Sequence, residues 1–386
     1  MLKRWDIFCK VVDNFGDIGV CWRLARQLQV EHSLQIRLWI DDLEVAQKII
    51  PNLEVEKNSQ ICDEITILKW PGINAKAQAD FSHAADVVIE AFACSLPPAY
   101  LMAMTVKKSK WVNLEYLSAE SWVDDFHAKP SPQSFLNSNH GLTRYFYFPG
   151  FTENTGGLIC EADLIHKNQS LINSQQLQNK LWQSLNVSNF AALKISLFCY
   201  PHAPIGDLLD TLANSNQPIN CYVPASSILP KIAQYFGKTI INIGDNIQHK
   251  NLQLQVLPFL SQADYDALLC ACDINFVRGE DSWVRAIWAG KPFIWQPYFQ
   301  AENTHIKKLD SFLLRFYGNL STTNIVAYVF NSEIYQIWSS GRLTLNSVNR
   351  YLSHLPAIQK HTLEKRNQLL LQPDLATKLI AFCNKL

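Results

Sequence analysis

The chain reads as an α/β protein of two domains, each built on a mostly parallel, doubly wound sheet of Rossmann-like type. Three observations carry that reading. Its 386 residues exceed what one ordinary core fills and suit two domains. Short apolar runs of strand length alternate with amphipathic stretches, the pattern of βαβ units. The alternation occurs twice, on either side of a polar segment.

In the first half, residues 5–12 form a strand candidate, followed by a glycine-bearing turn over 13–19 and a helically spaced stretch over 20–29. Further strand candidates are 34–40, 64–68, 87–89 and 111–114. Residues 161–189 are polar, rich in Gln, Asn and Ser, and show no strand signal, so they read as a linker with helical content. A second series of apolar runs covers 194–199, 219–223, 239–243, 252–257, 274–277 and 292–295. The final stretch is helical in pattern. The expected organisation is a first domain over 1–155, a linker over 156–189, a second domain over 190–355, and C-terminal helices over 356–386 that pack back on the first domain. Ligands of such folds bind beyond the carboxyl ends of the strands, and two such domains are expected to face a central cleft.

Composition narrows the function. Apolar residues make up 48% and charged residues 18%, and 34 Lys and Arg balance 34 Asp and Glu. A nonspecific nucleic-acid binder carries a basic excess, so no direct nucleic-acid binding is expected. The N-terminal residues hold no uninterrupted apolar core of a signal peptide. The longest apolar stretches, such as 86–96, fall short of the roughly 18 residues a spanning helix needs. A cytoplasmic protein without membrane association is the expectation. Ten cysteines lack any CxxC pair, and several, such as Cys9 and Cys199, lie in strand-like runs where cysteine acts as a small buried hydrophobe. The ten histidines are equally dispersed, so neither a metal nor another cofactor is expected.

Two stretches carry candidate chemistry. In Val11-Val12-Asp13-Asn14-Phe15-Gly16-Asp17-Ile18-Gly19, two carboxylates lie between the first strand and the first helix. Glycines there permit close backbone approach, and a helix N-terminus offers N–H groups to an anion. The spacing fits neither GxGxxG nor a P-loop, which lacks its lysine here; one aspartate serving as an N-cap is the plainer alternative. In the second stretch a strand ending at Val277 runs into Arg278-Gly279-Glu280-Asp281-Ser282, then a helix that Gly290-Lys291-Pro292 stops. A strand, polar turn and helix in that order present N–H groups, a hydroxyl and a fixed positive charge to phosphate. The plainer alternative is a surface ion pair between Arg278 and Glu280.

These residues also carry a resemblance. Trp5-Asp6-Ile7-Phe8-Cys9, the stretch from Asp13 to Gly19, Asn113-Leu114-Glu115-Tyr116-Leu117-Ser118, Phe148-Pro149-Gly150-Phe151-Thr152, Leu197-Phe198-Cys199-Tyr200, Arg278 to Ser282 and Ala289-Gly290-Lys291-Pro292 resemble, in order and over nearly the whole chain, the EarP family. Its members are elongation factor P arginine rhamnosyltransferases with the GT-B glycosyltransferase fold. The resemblance implies inverting transfer of rhamnose from dTDP-β-L-rhamnose to an arginine side chain of elongation factor P, without a metal. It implies that Asp17 is the base or orienting carboxylate, Glu280 the second essential acid, and Asp13 a further catalytic or acceptor-orienting group. Asp13, Asn14, Phe15 and Gly16 would approach the sugar and diphosphate. Phe198, Tyr200, Phe259 and Gln262 would contact the nucleotide, with Phe259 stacked on the base. Arg278, Gly279, Glu280, Asp281 and Ser282 would hold the diphosphate and sugar. The residue pattern without the resemblance also admits a glycan-directed transferase or a nucleotide-sugar epimerase of the same architecture, or a noncatalytic nucleotide-binding protein.

Overall fold

The computed structural model describes residues 4–13, 15–70, 81–131, 141–187, 192–318 and 324–386. The chain divides into two compact units, Met1–Ala162 with Gln372–Leu386, and Asp163–Leu371.

The first unit runs β1 (Arg4–Cys9), α1 (Phe15–His32), β2 (Gln35–Ile40), α2 (Leu43–Ala46), β3 (Ser59–Cys62), β4 (Ile65–Lys69), β5 (Val87–Ala91), α3 (Pro98–Lys107), β6 (Lys110–Leu114), α4 (Trp122–Phe126) and β7 (Arg144–Tyr147). Its seven strands lie in the order β3-β4-β2-β1-β5-β6-β7. Every pairing is parallel except β3 with β4. Strands β1 and β5 are buried almost end to end, as parallel strands covered on both faces must be, which is why they read as mostly apolar runs interrupted by the buried Asp6 and Glu90. Helix α1 starts at Phe15, five residues before the expected position. The Gly16 N–H bonds to Asp13 C=O at 2.7 Å and closes the first turn there. From that point Ile18, Cys21, Trp22, Ala25 and Leu28 form one buried stripe at helical spacing. Asp17 therefore sits in a helix rather than in the turn before one.

The second unit begins with α5 (Leu164–Asn173) and α6 (Gln175–Ser184), followed by β8 (Leu193–Leu197), α7 (Ile205–Ala213), β9 (Ile219–Pro224), α8 (Leu229–Tyr235), β10 (Asn246–His249) and β11 (Leu252–Leu257). Then come α9 (Gln262–Ala271), β12 (Ile274–Arg278), α10 (Asp281–Ala289), β13 (Phe293–Gln296), α11 (Thr304–Tyr317), α12 (Asn324–Ser340), α13 (Leu345–Ser353) and α14 (Leu355–Leu369). Six strands lie in the order β10-β11-β9-β8-β12-β13, again with one antiparallel pair, β10 with β11. The strand expected over 239–243 is not formed. Asn242 and Asp245 bond to each other across a turn, Gly244 takes φ 90°, and Ile240 and Ile243 point outward, so pairing starts only at Asn246. The core packs Trp283 against Trp295 at 3.7 Å between ring centroids, with Phe312 edge-on to Trp283 at 4.9 Å.

The polar stretch expected as linker is mostly helix, and α5 is tied to the second unit by Asn168 Nδ2 donating to Trp288 C=O at 3.1 Å. Helix α14 belongs to that unit as well. Gln359 Nε2 donates to Gly290 C=O at 2.5 Å, and a Cβ at Gly290 would fall 2.8 Å from the Arg366 guanidinium. The return to the first unit therefore starts at Gln372, not at 356, and consists of α15 (Leu375–Lys385) with its approach. There Lys110 Nζ donates to Cys383 C=O at 2.6 Å and Gln27 Nε2 to Asp374 Oδ1 at 3.0 Å. All ten cysteines are free thiols, and nine are buried, as their apolar settings predict. Among the described residues no helix is long and apolar enough to cross a membrane.

Both sheets have a point at which strand order reverses, at β1 between β2 and β5 and at β8 between β9 and β12. The crevice outside the carboxyl ends at such a point is where doubly wound folds bind ligands.

Beneath the first of these points, Asp6 is a buried carboxylate in the middle of β1. It accepts from Arg37 Nε and Nη2 at 2.7 and 2.5 Å, from Trp39 Nε1 at 3.3 Å, and from the Tyr100 hydroxyl. Asp6→Ala leaves the Arg37 charge without its partner, so stability should fall by about 3–5 kcal/mol, the scale for breaking a buried pair. Urea unfolding of the purified variant measures this; a loss below about 1 kcal/mol would mean that Arg37 simply rehydrates.

Candidate active site

The β1–α1 connection folds around Asp17. Its carboxylate is 2% exposed, and Oδ2 accepts the backbone N–H groups of Val12 and Asp13 at 2.7 and 2.8 Å. The Tyr116 hydroxyl, just beyond β6, donates to the same carboxylate. Burial pushes the Asp17 carboxyl above the ordinary range; the two N–H groups and Tyr116 counter only part of that, and Asp41 adds repulsion. Asp41, at the end of β2, is itself raised by burial and accepts the Val11 N–H at 2.9 Å. Asp13 is half-buried in the turn. Gly16 is small for a reason: a Cβ there would lie 2.9 Å from Asp13 Oδ2. Phe15 opens α1 half-buried, with Lys48 Nζ 5.7 Å from its ring centroid. Asn14, expected in the same group, lies outside the described residues.

In the second unit the two strands at the reversal point supply an arginine on aromatic rings. Arg278 ends β12 and is 8% exposed, which rules out the surface ion pair. Its guanidinium carbon lies 4.4 Å from the Phe198 ring centroid and 4.8 Å from that of Tyr200, and Nη1 donates to Cys199 C=O at 3.3 Å. A planar, weakly hydrated guanidinium tolerates such a setting where an ammonium would not. Gly279 follows with φ 63°, a conformation that favours glycine, and its C=O accepts Trp295 Nε1 at 2.7 Å. Glu280 is the half-buried N-cap residue of α10 without a side-chain capping bond, and Asp281 stands in the first turn. The Ser282 hydroxyl donates to Arg278 C=O and accepts the Arg278 N–H at 3.0 Å. It closes the turn that holds Arg278, rather than pointing outward to phosphate as its sequence position implied.

Gln262, the first residue of α9, reaches Asp281 Oδ2 at 3.5 Å, while Phe259 stands half-buried in the loop between β11 and α9. The structure thus gathers Asp13, Gly16 and Asp17 in one unit. It gathers Phe198, Tyr200, Arg278 to Ser282 and Gln262 in the other. Sequence reasoning left out Asp41, Phe92 and Tyr116 in the first and His202 and Gln296 in the second. Gln296 ends β13; its Oε1 accepts the Tyr200 N–H at 2.8 Å, and its Nε2 lies 3.0 Å from His202 Nε2. Burial and nearby His305 push the His202 imidazole below its usual value. Asp41 and Gln296 were findable from the rule that strand ends point to ligands. Among the described residues no group of three or more His, Cys, Asp or Glu could hold a metal ion.

Two doubly wound units with their polar groups at the strand-order reversals make up the GT-B glycosyltransferase fold. Acinetobacter baumannii MurG shares that fold at a TM-score of 0.52 over 100% of both chains, with 11% identity. A family model described as Elongation-Factor P (EF-P) rhamnosyltransferase EarP matches residues 5–384. The Pseudomonas putida protein-arginine rhamnosyltransferase is 41% identical over 392 residues, covering 99% of each chain. A solved structure reported as the structural basis for EarP-mediated arginine glycosylation of translation elongation factor EF-P is 32% identical, with a TM-score of 0.69 over 99% of each chain. The chain belongs to the EarP family.

The raised Asp17 carboxyl has a consequence for stability. A folded-state value above the unfolded one means that folding penalises the charged form, and the penalty is complete once the pH exceeds the folded value. Asp17→Asn removes the charge and keeps an acceptor for the Val12 and Asp13 N–H groups. The variant should therefore melt above the wild type at pH 7, and the gap should close as pH falls below about 3.9, the value of the free side chain. Thermal melts across that range check this; a variant that melts lower at pH 7 contradicts it.

Proposed function

We propose that the chain transfers rhamnose from dTDP-β-L-rhamnose to an arginine side-chain nitrogen of elongation factor P, with inversion at the anomeric carbon. The observation that supports this best is the family match over residues 5–384, with relatives named protein-arginine rhamnosyltransferases. The geometry of both units suits the chemistry. A guanidinium is a poor nucleophile because its charge is delocalised and its pKa exceeds 12. Asp17 binds the acceptor guanidinium and aligns one nitrogen with C1. As the N–C1 bond forms and the C1–O bond to the diphosphate breaks, the nitrogen loses its proton to Asp17. Desolvation, which raises Asp17, makes it a better proton acceptor than an exposed carboxylate. Asp13 stands beside it as an acceptor-orienting group.

The donor belongs to the second unit in this reading. Phe259 stacks on the thymine, with Gln262 and Tyr200 beside the nucleotide. Arg278, backed by Phe198, and the N-terminus of α10 meet the charge that grows on departing dTDP. Ser282 contributes by fixing Arg278. Glu280, at the start of α10, is the second acid. The scheme uses no metal, and with elongation factor P as acceptor it runs in the cytoplasm.

Mass spectrometry of elongation factor P after incubation with the protein and dTDP-rhamnose tests the whole reading. One arginine should gain a deoxyhexose, and the gain should persist in EDTA; an unmodified acceptor refutes the function, and EDTA sensitivity refutes the metal-free scheme. Phe259→Ala should weaken dTDP binding by roughly 1–3 kcal/mol, the scale of base–aromatic stacking. Unchanged affinity by titration calorimetry removes Phe259 from the nucleotide site.

A further inference from the structure

The loop that leaves β5 is strained. Phe92, Ala93 and Ser95 adopt φ of 56°, 52° and 64°, the left-handed region that side chains other than glycine's rarely enter. Such strain persists only where surrounding groups impose it, and it concentrates at functional sites. Here two buried polar side chains impose it. Glu90 accepts the Ser95 N–H at 2.9 Å, and Asn113 accepts the Ala93 N–H at 3.0 Å. Glu90 is in turn held by Trp111 Nε1 at 3.0 Å and by Arg144 at 3.3 Å. The Phe92 N–H bonds to Leu114 C=O at 2.7 Å. A connection that merely joined a strand to α3 would need none of this.

What the loop accomplishes is the placement of one ring. Phe92 lies flat on Tyr116, with centroids 4.3 Å apart and planes 13° from parallel. The stack fixes the plane of the Tyr116 ring, and from that plane the Tyr116 hydroxyl donates to Asp17. We infer that Tyr116 is a positioning residue for Asp17, held in register by Phe92 on the strained loop after β5. The inference rests on the proposed role of Asp17 at the acceptor arginine. By fixing one carboxylate oxygen, the hydroxyl sets the direction in which the other lone pairs meet the guanidinium. It also favours the charged form against the groups that oppose it. Burial is the largest of these opponents and Asp41, at the end of β2, adds repulsion, whereas the Asp13 backbone N–H supports the charge and the Cys9 thiol of β1, itself pushed up, stays neutral.

The test is steady-state kinetics of Tyr116→Phe across pH with elongation factor P and dTDP-rhamnose. The ring and its stack remain, so the melting temperature should stay near wild type. Turnover should fall roughly tenfold or more, the scale for losing a hydrogen bond to a charged group, with the donor KM unchanged. Loss of the donor leaves the Asp17 carboxyl higher still, so the acid limb of kcat should move to higher pH. Phe92→Ala should shift the limb in the same direction by less, and Phe92→Tyr, which can keep the stack, should restore it. An unmoved acid limb in Tyr116→Phe, whether turnover is normal or reduced, overturns the inference. Asp17→Asn assayed in parallel separates the failures. An inactive Asp17→Asn beside an unaltered Tyr116→Phe overturns the positioning alone, whereas an active Asp17→Asn overturns the role of Asp17 and this inference with it.

Discussion

A carboxylate buried in the first turn of α1 organises the carboxyl end of the first sheet. Asp17 takes the N–H groups of Val12 and Asp13, so the chain leaving β1 must bend back towards the helix it is about to enter. That bend requires the short Gly16 contact, and its outer arm is pinned by Val11 N–H on Asp41. Burying the charge is unfavourable, and the donors around it only partly relieve the cost. Nothing in the folding of a βαβ unit calls for a carboxylate there, since an ordinary cap would sit exposed at the helix start. The strained β5 loop and the stacked Phe92 and Tyr116 converge on the same carboxylate, which is the basis of the positioning role proposed for Tyr116.

The second unit answers with opposite chemistry on the same topology. Its reversal point carries Arg278 across two rings, with the N-terminus of α10 beside it and Ser282 spent on closing the turn. Fixed positive charge in apolar surroundings is prepared for an anion, and a desolvated carboxylate is prepared for a cation. In the proposed reaction these ligands are a nucleotide diphosphate and an arginine side chain, and the proposed division between donor and acceptor units rests on which sign of charge each sheet presents at its crossover.

Much of this was legible in the sequence, for reasons that can be named. β1, β5, β8 and β12 are central parallel strands, so both faces are largely buried and their runs are mostly apolar, with Asp6, Glu90, Ser196 and Asn275 as buried polar exceptions. β3 and β7 escaped notice because they are short outer strands, β3 with exposed positions that break the pattern and β7 only four residues long and mostly half-buried. Residues 239–243 misled for the opposite reason: two of their three isoleucines, Ile240 and Ile243, supply hydrophobicity but face solvent, because pairing waits for the turn at Asn242 to Asp245. Of the site, the motifs around Asp17 and Arg278 stood out as polar groups at strand ends. Phe92 did not, and Tyr116 was noticed only as part of the Asn113–Ser118 motif with no role, since a tyrosine and a phenylalanine next to strands look like core until the ring geometry is seen. The inward turn of the Ser282 hydroxyl was equally invisible, because sequence places a residue on a turn without saying which way its oxygen faces.

The central claim is that Asp17 acts in the chemical step while the nucleotide is held elsewhere. Comparing turnover with dTDP affinity in Asp17→Asn measures that most directly. The variant keeps size and an acceptor oxygen but can neither carry charge nor take a proton. Turnover should fall roughly 10²–10⁴-fold, the range for loss of a general base, while dTDP binds as in the wild type. Near-normal turnover, or a loss of dTDP affinity in proportion to the loss of activity, would contradict the account.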